Sequence, residues 1–250
     1  MKDIFTNLQE THHRVTAGEV TLPIRYTDCR CLQAVFALPT EEVQRRLPST
    51  RLSPFRLTGG KSLLAVNCFE YRATSIGLYN EVSLSFPCLY DAWWNLPWAA
   101  PLLEKYLGHS GVYVWHLPVT TRIARDAGRE LWGYPKFVAE IGFEEKGGRT
   151  QCTLAEGGKT VVELALDHTR KEFDETRVHS TFSIKDGKLM LTPISVQLGV
   201  SLRRMKPTAE LRFGDHQLGR ELAGMHISRR PVETRYLEPF RSVLPAGRFI

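Results

Sequence analysis

Lys136 is the residue whose setting could do chemistry. It closes the segment Gly128-Arg-Glu-Leu-Trp-Gly-Tyr-Pro-Lys136 and opens the apolar run Phe137-Val-Ala. Such a stretch, broken by glycine and proline, can aim one side chain inward. Burial strips away the solvation that favours an ammonium, so a lysine held there gives up its proton more readily. Only the neutral amine attacks a carbonyl. An ordinary lysine, near pKa ~10.4, is almost wholly protonated at neutral pH, and a nucleophilic one must be lowered by about two to four pH units through desolvation or a neighbouring cation. Trp132, Tyr134 and Phe137 are the aromatic neighbours that would supply apolar walls and substrate contacts. A lysine beside a turn is more commonly a solvated surface residue, and the segment alone leaves both readings open.

Glu70 and Glu81, on neighbouring apolar runs, read from the residues alone as strand-surface acids. Other chemistries find less support. Asp167-His168, or Glu130 with His116, lack the spacings of metal-binding pairs, so no metal is expected. No Gly-x-Ser-x-Gly elbow occurs, and Gly59-Gly60-Lys61-Ser62 lacks the first glycine of a phosphate loop, so no nucleotide or other cofactor is implied.

The elements that must position these residues are mostly strands. Asp186-Gly187 supplies the positive φ angles of a tight hairpin between Thr181–Ile184 and Leu189–Val196, with Pro193 implying an edge or bulge. Phe137–Glu145, Thr150–Ala155 and Thr160–Leu166 read as a meander joined by the glycine pairs at 147–148 and 157–158. Cys31–Leu38, Ser62–Tyr71 and Tyr79–Phe86 are further strands. Thr40 is placed to cap a short helix over Glu41–Leu47 that Pro48 stops. Trp98–Leu107 and Thr120–Ala127 read as short helices. No linker or repeat divides residues 1–250, so one mainly β domain is expected, a barrel or sandwich with few helices.

Composition bounds the setting. The 250 residues are 42% hydrophobic, enough for a sizeable core. No run approaches the ~18 apolar residues that span a bilayer, and the N-terminus lacks a signal-peptide core, so no membrane partner and a cytoplasmic location are expected. Five cysteines without a Cys-x-x-Cys pair read as reduced thiols. The net charge of +6 arises from basic residues interspersed with 27 acids. That interspersion, rather than the sign of the charge, points away from nucleic acid, and a modest positive field fits the drawing-in of a small carboxylate. The densest basic cluster, Arg203-Arg-Met-Lys206, reads as a solvated face or subunit contact, and the aromatic run Asp91–Trp98 as core or subunit contact.

Gly128, Arg129, Glu130, Pro135 and Lys136 together resemble the acetoacetate decarboxylase family, in which a Gly-Arg-Glu-x-x-x-x-Pro-Lys segment presents a lysine that forms a Schiff base. Phe69-Glu70-Tyr71 followed by Gly77-Leu-Tyr-Asn-Glu81 resembles the family's paired-glutamate region, with a shorter interval than in its best-known members. Arg30 through Pro48 resembles an earlier stretch of arginine, strand, short helix and proline. The resemblance implies an antiparallel β-barrel with a flanking sheet. It also implies a lyase that decarboxylates an acetoacetate-like β-keto acid through a Lys136 iminium, with Glu81 and Glu70 moving protons. Arg30, or Arg25 if the register differs, would meet the substrate carboxylate. It further implies a higher homo-oligomer. One departure is that Phe137 stands where the decarboxylases proper carry a second lysine. That keeps open a Schiff-base aldolase-dehydratase acting on pyruvate or another keto acid, and also a non-catalytic ligand-binding barrel.

Overall fold

A computed structural model describes residues 3–92, 110–167, 171–203 and 207–250. The strands are β1 (Thr11–Val15), β2 (Gly18–Leu22), β3 (Ile24–Pro39), β4 (Leu52–Pro54), β5 (Lys61–Thr74), β6 (Tyr79–Tyr90), β7 (Ser110–His116), β8 (Glu140–Lys146), β9 (Arg149–Glu156), β10 (Lys159–Asp167), β11 (Phe173–Lys185), β12 (Lys188–Arg203), β13 (Glu210–Phe213), β14 (Pro231–Leu244) and β15 (Arg248–Phe249). Helices α1 (Thr40–Gln44), α2 (Arg122–Trp132) and α3 (Gln217–Gly224) complete the described elements, apart from a short 3-10 turn.

The protein is mainly β, built on a seven-stranded closed barrel. Its strands run in the order β11-β7-β6-β5-β3-β14-β12, and the β11–β12 hairpin closes the ring. Closure leaves these strands without free edges. A separate four-stranded sheet, β13-β10-β9-β8, flanks the barrel, and β1 and β2 form a hairpin. Strands β3, β5 and β6 are therefore covered on both faces. Leu32, Phe36, Leu64 and Leu84 look outward into a core shared with Leu154 and Leu164 of the flanking sheet and Leu222 of α3. The opposite faces of the same strands look into the lumen.

The hairpin expected at Asp186-Gly187 is present, with φ of 51° and 73° and Lys185 opposite Lys188. Several boundaries differ from the sequence reading. Thr40 is the first residue of α1, not its cap. Pro39 holds the cap position, and the Thr40 hydroxyl instead accepts a hydrogen bond from Ser62 Oγ at 3.0 Å. Pro193 does not lie on an edge strand. It sits between Leu191, the last residue paired with β15, and Ser195, the first paired with β14, where its missing N–H breaks no ladder. Helix α2 runs past the expected end at Ala127, through Gly128 to Trp132, and stops at Gly133 in the left-handed region. Strand β8 begins at Glu140, because Lys136–Ala139 runs beside residues 117–119 instead. The helix expected over Trp98–Leu107, most of the Asp91–Trp98 aromatic run and part of the Arg203–Lys206 cluster lie outside the described residues. All five cysteines are free and buried. Among the described residues, no helix is long and apolar enough to cross a membrane.

Candidate active site

Helix α2 plugs the barrel end at which β6 begins and β7 and β11 finish. Trp132 donates from its indole to the Pro245 carbonyl at 2.8 Å, and Ser183 Oγ donates to the Trp132 carbonyl at 2.6 Å. Gly133 ends the helix at a place where a Cβ would fall 2.2 Å from the Ile184 carbonyl oxygen. The chain then doubles back. Leu117 N–H donates to the Pro135 carbonyl, Val119 N–H to Phe137 and Ala139 N–H to Val119. Val119 bridges Glu81 on one side and Val138 on the other. This three-ribbon contact, between residues distant in sequence, sets Lys136 against Glu81.

Lys136 Nζ donates to Glu81 Oε2 at 2.6 Å, and the two side chains are only 5% and 8% exposed. The other carboxylate oxygen, Oε1, accepts from the Tyr71 hydroxyl at 3.2 Å. Tyr71 packs between Tyr26 and Tyr79, at centroid distances of 4.6 and 4.7 Å, and Tyr26 and Tyr79 share a hydrogen bond at 3.0 Å. The ammonium lies 5.6 Å from the Tyr79 ring centroid. Burial above all, and then the Glu81 charge, push the Tyr71 hydroxyl well up, so it remains a neutral donor. Tyr134 hydrogen-bonds Thr181 Oγ1 at 2.6 Å, and burial pushes it up to about 12. Along its length the lysine lies against the helix backbone: a Cβ on Gly128 would be 2.4 Å from Lys136 Cδ.

The pair faces a lumen cavity of about 140 Å³. That is close to the ~150 Å³ apolar cavity that accepts a benzene-sized guest. Alternation along the strands sorts the wall. Cys31 and Gln33, Phe69 and Tyr71, and Glu81 and Ser83 all face it, whereas Arg30 and Glu70 do not.

The structure thus brings together Lys136, Glu81 and Tyr134 and separates the other expected site residues from them. Arg30 and Glu70 are register partners on the outward face. Arg30 Nε lies 2.7 Å from Glu70, its guanidinium also pairs with Glu145 of β8, and it sits 5.6 Å over the Phe143 ring. The geometry makes Arg30 a clamp between barrel and flanking sheet. Arg25 pairs with Glu10 at the surface. Trp132 is buried in the plug beneath Tyr134, and Phe137 packs in the outer core edge-on to His116, so neither lines the cavity. Replacing Arg30 by methionine is therefore expected to cost stability, about 1–3 kcal/mol for a lost charged hydrogen-bond set, without emptying the site. Thermal unfolding of the variant, set beside labelling of Lys136, checks this.

Sequence reasoning missed Tyr26, Tyr71, Arg177, His179 and Thr181 as cavity residues. For the last three the signal was inverted alternation. In Arg177-Val-His-Ser-Thr181, Arg177, His179 and Thr181 face inward while Val178 is 64% exposed.

A strand barrel plugged by a helix, with a buried lysine–carboxylate pair on its floor, is the arrangement to be placed among known proteins. The description of the acetoacetate decarboxylase (ADC) family matches residues 11–239. The chain belongs to that family. No curated protein matches its sequence. Solved structures share the fold at low identity. A structure described as acetoacetate decarboxylase is 16% identical, covering 91% of this chain and 89% of its own, with a TM-score of 0.70. Acetoacetate decarboxylase from Legionella pneumophila is 13% identical, covering 99% and 93%, with a TM-score of 0.68. The enduracididine biosynthesis enzyme MppR, complexed with pyruvate, is 12% identical, covering 97% and 98%, with a TM-score of 0.62.

Proposed function

We propose that this chain is a Schiff-base enzyme that decarboxylates a β-keto acid, with Lys136 as nucleophile and Glu81 as its proton partner. The observation that carries the reading is the 2.6 Å contact between Lys136 Nζ and Glu81 Oε2, both buried, on the floor of the lumen cavity. Separated charges are costly where water is excluded, so a proton passed from Nζ to Oε2 leaves a neutral amine and acid at little electrostatic cost. The amine then adds to the ketone carbon. The carbinolamine oxygen takes the proton from Glu81 and leaves as water, giving an iminium. In a β-keto acid the carboxylate carbon lies one bond beyond the carbon next to that iminium. The electrons of the breaking C–C bond flow into the iminium to form an enamine as carbon dioxide departs. Protonation of the enamine carbon and hydrolysis return the ketone and the free lysine. Tyr71, donating to Glu81, keeps the carboxylate aimed at Nζ.

The same pair would also serve condensation of pyruvate with an aldehyde, the reading raised by the fold shared with pyruvate-bound MppR. Products separate the two. Carbon dioxide released from β-keto acids supports decarboxylation; condensation products from pyruvate and aldehydes, with no carbon dioxide from any β-keto acid, overturn it. Sodium borohydride after incubation with acetoacetate or pyruvate should add the reduced adduct mass to the Lys136 peptide. Absence of adduct with either acid would leave a binding role. Glu81→Gln keeps the size and one hydrogen bond but cannot accept the proton, so kcat should fall about 10²- to 10⁴-fold, as measured by steady-state kinetics. We further expect a cytoplasmic enzyme assembled as a homo-oligomer.

A further inference from the structure

The cavity has two poles. At the plugged end stand Lys136 and Glu81. Thr181, whose hydroxyl meets Tyr134 beside that floor, is on β11, and Arg177 lies four residues further along the same wall. Four strand residues span about 13 Å. At that end the wall opens: the Arg177 side chain is 36% exposed, against 5% for Lys136. Between the poles the wall includes Val112, Val114, Ile194 and Val196. Among the described residues lining the cavity, Arg177 is the single arginine and Lys136 the single lysine. With Arg30 turned outward, the guanidinium that a substrate entering this lumen can meet is that of Arg177.

We propose that Arg177 anchors a carboxylate of the substrate at the cavity mouth while the ketone reaches Lys136, so that the site takes keto acids carrying a carboxylate remote from the reacting carbon and retained through the reaction. The inference rests on the Schiff-base reading and narrows it. Decarboxylation gains from a carboxylate in a dry place, because the charge disperses as the bond breaks. A carboxylate held by a guanidinium in contact with solvent has no such incentive to leave. For a decarboxylase the substrate class is then a keto diacid, losing one carboxylate at the floor and keeping the other at Arg177. His179, also in the wall, is pushed down to about 4 by burial and then by the charges of Arg177 and Arg235. It is uncharged at neutral pH and adds a hydrogen-bonding nitrogen beside Arg177. Glu175, 3.4 Å from Arg177, braces the guanidinium from the same strand.

The test uses levulinate, whose ketone and carboxylate are separated by two methylenes and which cannot lose carbon dioxide by this route, beside methyl levulinate, which lacks the charge. Borohydride trapping on Lys136 is followed by mass spectrometry against probe concentration in wild type, Arg177→Met and Arg177→Lys. Wild type should half-saturate at lower levulinate than methyl levulinate. Arg177→Met should raise the levulinate value roughly tenfold, the lower end for a charged hydrogen bond because Arg177 is partly solvated, and leave the ester value unchanged. Arg177→Lys should fall between. Unchanged trapping of the ester shows that the variants are folded. Equal shifts for both probes, no shift for either, or a wild-type preference for the ester overturn the anchor while leaving the lysine chemistry standing. Failure of wild type to form an adduct with either probe, or with acetoacetate and pyruvate, overturns the Schiff-base reading itself.

Discussion

Lys136→Arg is expected to abolish both turnover and the borohydride-trapped adduct while leaving the fold intact. Arginine keeps the positive charge, so the contact with Glu81 survives in kind, and a charge-only role for Lys136 would be largely preserved. A guanidinium stays protonated in proteins and offers no free lone pair to a carbonyl. Loss of a covalent nucleophile removes the step on which the rest depends, and a fall of at least about 10⁴-fold in kcat is expected. The longer side chain must fit a space that is closed by the α2 backbone at Gly128 and by Tyr79. A modest loss of thermal stability should therefore accompany the effect, but unfolding should remain cooperative. Steady-state assays with a β-keto acid, intact-mass analysis after borohydride and a thermal melt read the three quantities separately. Activity within tenfold of wild type would refute the nucleophile.

How far this site could be read from the sequence depends on which rule of side-chain direction each residue obeys. The glycine pairs at 147–148 and 157–158, and Asp186-Gly187, dictate hairpins through positive φ, and these local turns were legible. Lys136 was legible as a residue held in a loop of unusual composition. The facing of Arg30 and Glu70 was not. In a half-solvated sheet, alternation of apolar and polar residues tells inside from outside. Here β3 and β5 are covered by the lumen on one face and the flanking sheet on the other, so Leu32, Ala34 and Phe36 advertise a core as strongly as the lumen face does. A bulge near Asp28 further shifts the count within β3. Strand β14, the barrel-wall strand between β3 and β12, was missed altogether; its Pro239 is a residue that a ladder interior excludes. The structure accommodates it where the β14–β3 register slips between Leu237 and Phe240. Phe137 illustrates the same limit. Adjacent to the lysine in sequence, it faces the opposite way because Lys136–Ala139 runs extended beside residues 117–119. A lysine introduced at 137 would enter the outer core rather than stand beside Nζ.

Gly128→Ala is the second large effect, and its sign separates activity from stability. Gly128 lies inside α2, where alanine is favoured over glycine by about 1 kcal/mol in intrinsic propensity. By helix preference alone the change should stabilise the protein. The space beside Gly128 is occupied by Lys136, the proposed nucleophile, however: an added Cβ would come within 2.4 Å of Lys136 Cδ and 2.6 Å of Cε. Backbone and helix cannot easily yield, because Trp132 and Gly133 pin the end of α2 against Pro245, Ser183 and Ile184. The lysine stem must move, and with it Nζ leaves the 2.6 Å contact with Glu81 through which the proposed proton transfer runs. Displacements of about 1 Å at a reacting group cost on the order of 10²-fold in rate. The expected result is a kcat lowered by about that factor, with a melting temperature no more than slightly changed. Borohydride trapping should slow in parallel, since addition of the amine is the affected step. Gly128→Ser should be worse, because it adds a hydroxyl to the same crowded spot. If Gly128→Ala turns over normally, the lysine does not lie in the groove that this glycine leaves open, and its aim at Glu81 must be set by the Tyr134–Thr181 contact and the strand beside Val119 instead.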